Sequence, residues 1–161
     1  MPPSQAIPQR IDVLKTLHAQ AVEAGNQLAV DLKQSQSLHQ QSLDKMQNLQ
    51  TYAQQYRRQL QELEAEGGAW SKVRDLRSFI AKVDAALVAQ QAEIARVEAR
   101  RAEKTQAWTA ARQREKAYEL LLAQQQVFVK TAAQKQAQHE LQEWGLNPQS
   151  QFVTTTQPTR F

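Results

Sequence analysis

The sequence predicts an all-α chain, a long two-helix antiparallel coiled-coil hairpin with disordered termini. Apolar residues recur at spacings of three and four through most of its 161 residues, the period that lines one face of an α-helix. Gly67-Gly68 interrupts that pattern, and glycine is costly inside helices while permitting left-handed turns. Only 4 Gly and 5 Pro are present, and Ala, Gln, Glu, Lys, Arg and Leu dominate the interior of the chain. These residues lose little rotamer freedom in a helix.

Residues 1–8 hold three prolines and no apolar stripe, and are expected to be a disordered leader. Helix 1 is expected over about 9–66, with proline tolerated in its first turn. Its stripe runs Leu14, Leu17, Ala21, Ala24 and Leu28, then weakens through Leu32, Ser35 and His39. It resumes at Met46, Leu49, Ala53, Tyr56, Leu60 and Leu63. The tip falls at 67–70, and helix 2 spans about 71–144 with Ser71 as a candidate N-cap. Its heptad frame is Val73, Leu76, Ile80, Val83, Leu87, Gln90, Ile94 and Val97. The frame continues through Arg101 and Lys104 to Trp108, Ala111, Glu115, Tyr118, Leu122, Gln125, Val129 and Ala132. A sustained seven-residue repeat implies a left-handed supercoil. Glycine and proline in Trp144-Gly145-Leu146-Asn147-Pro148 end the helix, leaving 147–161 as a polar tail expected to be disordered.

The two stripes match at constant register. Leu63 faces Val73, Leu60 faces Leu76, Tyr56 faces Ile80, Ala53 faces Val83, Leu49 faces Leu87 and Met46 faces Gln90. Continued, the register sets Arg101 and Lys104 opposite Ser35 and Leu32, so both helices weaken at one level. Bending is expected there. Helix 2, at about 70 residues and ~105 Å, outruns helix 1 and overhangs at its C-terminal end.

Composition excludes several classes. Without cysteine there are no disulfides, thiolate metal sites or cysteine nucleophiles. No apolar run approaches the ~20 residues of a membrane span, and no signal pattern opens the chain, so a cytoplasmic location is expected. The net charge of +4 is concentrated between Lys72 and Lys116, with eleven Lys/Arg against six Asp/Glu. Two readings stand, a surface that attracts an acidic partner, nucleic acid or anionic lipid, and the commoner one of solvated basic side chains along a helix face. Nucleic-acid binding is disfavoured, because no basic region abuts a zipper and no stacking aromatics interleave the charges. His18, His39 and His139 lie far apart, and none has a second ligand-type residue at metal spacing on its own face. Gly67-Gly68 lacks the lysine and preceding strand of a phosphate loop. No catalytic residue, metal or cofactor is expected.

The informative cluster is aromatic. Tyr52 and Tyr56 stand one turn apart on helix 1, and Phe79 is level with Tyr56 across the seam. Tyr56, Leu49 and Val83 belong to the seam, while Tyr52, Phe79, Ala86 and Lys45 flank it. Two readings stand: the flanking aromatics widen the seam near the tip, or they form an exposed docking patch.

The run Leu49-x-x-Tyr52-x-x-x-Tyr56, a glycine tip, then Phe79-Ile80-x-x-Val83-x-x-Ala86 and Gln90 resembles the FliJ family of flagellar protein-export components. Trp108, about thirty residues after Phe79, also falls where that family often has a tryptophan. The resemblance covers roughly Leu14 to Leu122, and the family's acidic ending after Gln-Lys is not evident around Gln134-Lys135. It implies a cytoplasmic hairpin at the inner membrane of the flagellar basal body, shaped like the central stalk of rotary ATPases. Such a stalk binds the hexameric export ATPase and the cytoplasmic linker of the export gate, and escorts export chaperones. Carried onto this chain, the gate-facing residues are Lys45, Leu49, Tyr52, Tyr56, Phe79, Val83, Ala86 and Gln90. Those entering the ATPase ring are Leu14, Leu17, Tyr118 and Leu122. A virulence-type secretion stalk of the same shape and a generic structural coiled coil are the alternatives.

Overall fold

A computed structural model describes the backbone of residues 3–146. Helix α1 spans Pro3–Ala65 and helix α2 spans Trp70–Leu146, and the described residues include no strand. Met1-Pro2 and the polar tail 147–161 lie outside the described residues. The expected leader is shorter than its prolines indicate, since α1 begins at Pro3 and carries Pro8 inside it. This close to the start of a helix, a proline forfeits a single intrahelical hydrogen bond. At the other end Gly145 is helical, and α2 continues to Leu146. The one positive-φ residue among those described is Gly67.

The chain divides into two compact units, one comprising residues 21–114, the other residues up to Gln20 with those from Glu115 on. In the first, α1 and α2 form an antiparallel hairpin closed by a Schellman turn. The Gly68 N–H donates to the Leu63 carbonyl at 2.9 Å, and the Gly67 N–H to the Glu64 carbonyl at 3.3 Å. Gly67 sits between them at φ 67°, the left-handed conformation that this motif requires at its penultimate residue. A Cβ on Gly67 would touch nothing within 4 Å, whereas one on Gly68 would run into the Leu63 side chain. Gly67→Ala is therefore a pure backbone penalty, expected to cost about 1 kcal/mol. The urea midpoint measures it, and Gly67→Asn should lose less because asparagine tolerates this region.

The start of α2 differs from expectation. The Ala69 carbonyl accepts from the N–H groups of Lys72 at 3.0 Å and Val73 at 3.2 Å, so Ala69 holds the N-cap position. Ser71 lies inside the first turn. Alanine offers no side-chain oxygen there, which leaves this end of the helix without the usual cap.

The seam of the hairpin is thin. Its buried apolar residues are Ala21, Ala53, Ile80, Val83 and Val97, joined by the buried polar residues Ser35, Ser42 and Gln90. Pairs across the seam fix the register. The Tyr56 and Phe79 rings meet edge to face with centroids 4.6 Å apart. Arg57 reaches Asp84, and Arg77 reaches Glu64, each at 2.5 Å. The Gln90 amide passes one turn beyond its level partner Met46, donating to the backbone carbonyl and hydroxyl of Ser42, both at 2.8 Å. A buried amide with both of these acceptors pins the alignment of two helices that apolar packing alone holds loosely.

One seam position corrects the expected stripe. Gly25 is buried and Ala24 exposed. The heptad step of four from Ala21 lands on Gly25, level with Ala111 in the same register, and the helix keeps that step although glycine offers no side chain.

The polar level in mid-seam is stitched by charge, with both helices running on through it. His39 Nε2 lies 3.0 Å from Glu98, and Lys104 Nζ lies 3.7 Å from Asp31. Arg101 grips Glu98 with two nitrogens at 2.6 and 2.8 Å. The hydrogen bonds from Arg101, with its charge and that of His39, hold the Glu98 carboxyl below the usual carboxylate range. Nearby, the buried Trp108 Nε1 has no hydrogen-bond partner, while Arg112 lies 5.6 Å from the ring centroid.

In the second unit the beginning of α1 lies antiparallel to α2. Leu14, Leu17, Tyr118 and Leu122 are half-buried, and His18 Nε2 lies 3.4 Å from Glu119. From Gln126 to Gly145 every residue of α2 is exposed, including Val127, Phe128, Val129, Leu141 and Trp144. In the same register Pro3, where α1 begins, is level with Ala133, so Leu141 and Trp144 lie beyond the reach of α1 while Val127, Phe128 and Val129 do not.

Candidate partner-binding surface

The eight residues assigned to the gate-facing patch separate into two groups. Tyr52 and Phe79 are 52% and 43% exposed, and Lys45 is exposed two turns before Tyr52 on α1. Leu49, Tyr56 and Ala86 are half-buried. Val83 and Gln90 are buried, at 8% and 5% exposure. Val83 belongs to the apolar seam, and Gln90 spends its amide on Ser42. These two residues shape the surface from beneath and offer a partner little area of their own. What faces solvent is an amphipathic strip, with Tyr52 on α1, Phe79 on α2 and Tyr56 bracing Phe79 from below. Two ordered aromatics on a helical base lose little side-chain freedom when a partner covers them.

The four residues assigned to the ATPase ring share the other unit, all half-buried, so each packs on one side and faces solvent on the other. A groove beside Leu14 is lined by Ala6, Gln9, Arg10, Val13 and Gln125.

The flagellar FliJ protein family matches residues 10–146. The chain belongs to the FliJ family. That family is a non-catalytic component of flagellar protein export. No curated protein and no solved structure matches the chain in the corresponding comparisons. The match runs from the first turns of α1 to the last residue of α2, so it contains the whole 21–114 unit and reaches the other unit on both helices. No helix among the described residues is long and apolar enough to cross a membrane.

Two histidine groupings were not expected, one being the pair of His139 and Glu143, 3.4 Å apart and one turn apart on the same face of α2, the other a cluster across two helices. His18 and the pair Glu115 and Glu119 bring one ligand atom each to within 4.8 Å of one another. A search along the face of His18 alone misses it, because both carboxylates come from α2. The signal was in the register, which sets His18 level with Tyr118, inside the turn that Glu115 and Glu119 span.

Proposed function

We propose that this FliJ-family chain is a stalk and chaperone-escort protein of the flagellar type III export apparatus. In this reading it engages the hexameric export ATPase through Leu14, Leu17, Tyr118 and Leu122. It meets the cytoplasmic linker of the export gate through Tyr52 and Phe79, supported by Lys45, Leu49, Tyr56 and Ala86. It works in the cytoplasm at the inner face of the basal body, without crossing the membrane, and coupling the two machines supports filament assembly and motility.

The exposed Tyr52–Phe79 pair, inside a chain matched by the family over nearly all its length, carries this reading. Solvent-facing aromatics on a thin hairpin have no interior to fill, and such residues are the usual anchors of protein interfaces. The flagellar reading is preferred to the virulence-type one because the matching family is flagellar. The test is binding of the purified chain to the hexameric ATPase and, separately, to the gate's linker domain. Retention of both, each weakened by variants in its own residue set, is the expected result. A chain that binds neither and only self-associates would be a structural coiled coil instead.

A further inference from the structure

We infer that His18, Glu115 and Glu119 form a binding site for a divalent transition-metal ion, with Zn²⁺ the ion their chemistry fits best. All three residues belong to the unit that joins the start of α1 to α2 from Glu115 onward. Their ligand atoms already lie within 4.8 Å of one another, and His18 Nε2 stands 3.4 Å from Glu119 Oε1. Ligands around a tetrahedral zinc at ~2.0–2.2 Å are about 3.4 Å apart, so the third arm closes by side-chain rotation alone. Glu115 and Glu119 are one turn apart on α2, which fixes the span between two of the ligands. His18 enters from the other helix.

The donor set selects the metal. An imidazole with two carboxylates suits zinc and its first-row neighbours, whereas magnesium and calcium favour all-oxygen shells. Thiolate-seeking ions have nothing to bind in a chain without cysteine. Three protein ligands leave a fourth position for water or a partner's side chain.

The position of the cluster adds a second reason. Glu115 is half-buried in line with Tyr118 and Leu122, where the heptad frame calls for an apolar residue, and His18 is half-buried opposite. Glu115 already has a polar interaction of its own, which the ion would take over or share. A bound ion would make this polar seam position a cross-link between the helices, strengthening the unit by mass action.

The experiment uses the full chain without an affinity tag, stripped of metal by a chelator. It is titrated with Zn²⁺ by calorimetry and with Co²⁺ by visible absorption, with Mg²⁺ as comparison. One saturable zinc per chain is expected, together with a cobalt spectrum of low coordination number and no response to Mg²⁺. His18→Ala and Glu119→Gln should each weaken zinc binding by about tenfold or more. His39→Ala should not, and His139→Ala, which removes the separate His139–Glu143 pair, should not either. Glu119 is exposed, so Glu119→Gln keeps the fold and remains informative if His18→Ala unfolds. Absence of saturable binding overturns the site, as does unchanged binding in Glu119→Gln or loss of binding in His139→Ala. In each of those cases His18 and Glu119 are an ordinary interhelical pair.

Discussion

Ala53→Asp should unfold the tip-proximal half of the hairpin, whereas Gln54→Asp should leave it nearly untouched. Ala53 is only 1% exposed, packed at a level where Ile80 and Val83 are also buried. Arg57, one turn further along α1, is already engaged by Asp84. Removing one partner of a buried ion pair costs about 3–5 kcal/mol because it strands a charge, and introducing a stranded charge carries a similar penalty. Small domains have only ~5–15 kcal/mol in total. Gln54 is exposed one residue along the same helix, where substitutions usually stay within about 0.5 kcal/mol. Urea denaturation followed by far-ultraviolet circular dichroism separates the two variants. Equal midpoints would mean that α1 is rotated from the orientation described.

Much of this was legible because the hairpin obeys local rules. The three-and-four spacing put Ala53, Ile80, Val83 and Val97 in the seam, and all four are buried. Gly67 was marked by its type, and its positive φ is what the turn needs. The errors have equally local causes. Apolarity favoured Ala24 over Gly25, but the helix keeps its step and buries the residue with no side chain. Residue preference picked Ser71 as a cap, while the backbone placed Ala69 there, since the Schellman turn fixes where the next helix starts. Gln90 is a separate matter, since it was named as a contact residue through the family resemblance alone and not by any local pattern. Its partner turned out to be Ser42, within the same hairpin. The His18 cluster needed two helices at once, and no pattern along one of them displays it.

Tyr52→Ala/Phe79→Ala should weaken binding to the export gate's linker by thirtyfold or more while α1 and α2 stay helical. Aromatic anchors at the centre of an interface often contribute ~2 kcal/mol or more each, and 2 kcal/mol is about thirtyfold in affinity. The two residues differ in what else they do. Tyr52 is more than half exposed and has no ring partner among the described contacts, so its loss should scarcely change the melting temperature. Phe79 meets Tyr56 edge to face at 4.6 Å, and losing that pair should cost about 1 kcal/mol of hairpin stability. The single variant Tyr52→Ala therefore isolates binding from folding, and the double variant adds the second anchor. ATPase binding, assigned to Leu14, Leu17, Tyr118 and Leu122 in the other unit, should be retained by both. Cells carrying the double variant should swim poorly on soft agar although the protein accumulates normally. If gate binding is unchanged while the melting temperature of the double variant collapses, the aromatics are packing residues that widen the seam. A partner must then meet the hairpin elsewhere, with the bare apolar stretch from Val127 to Trp144 the next surface to truncate.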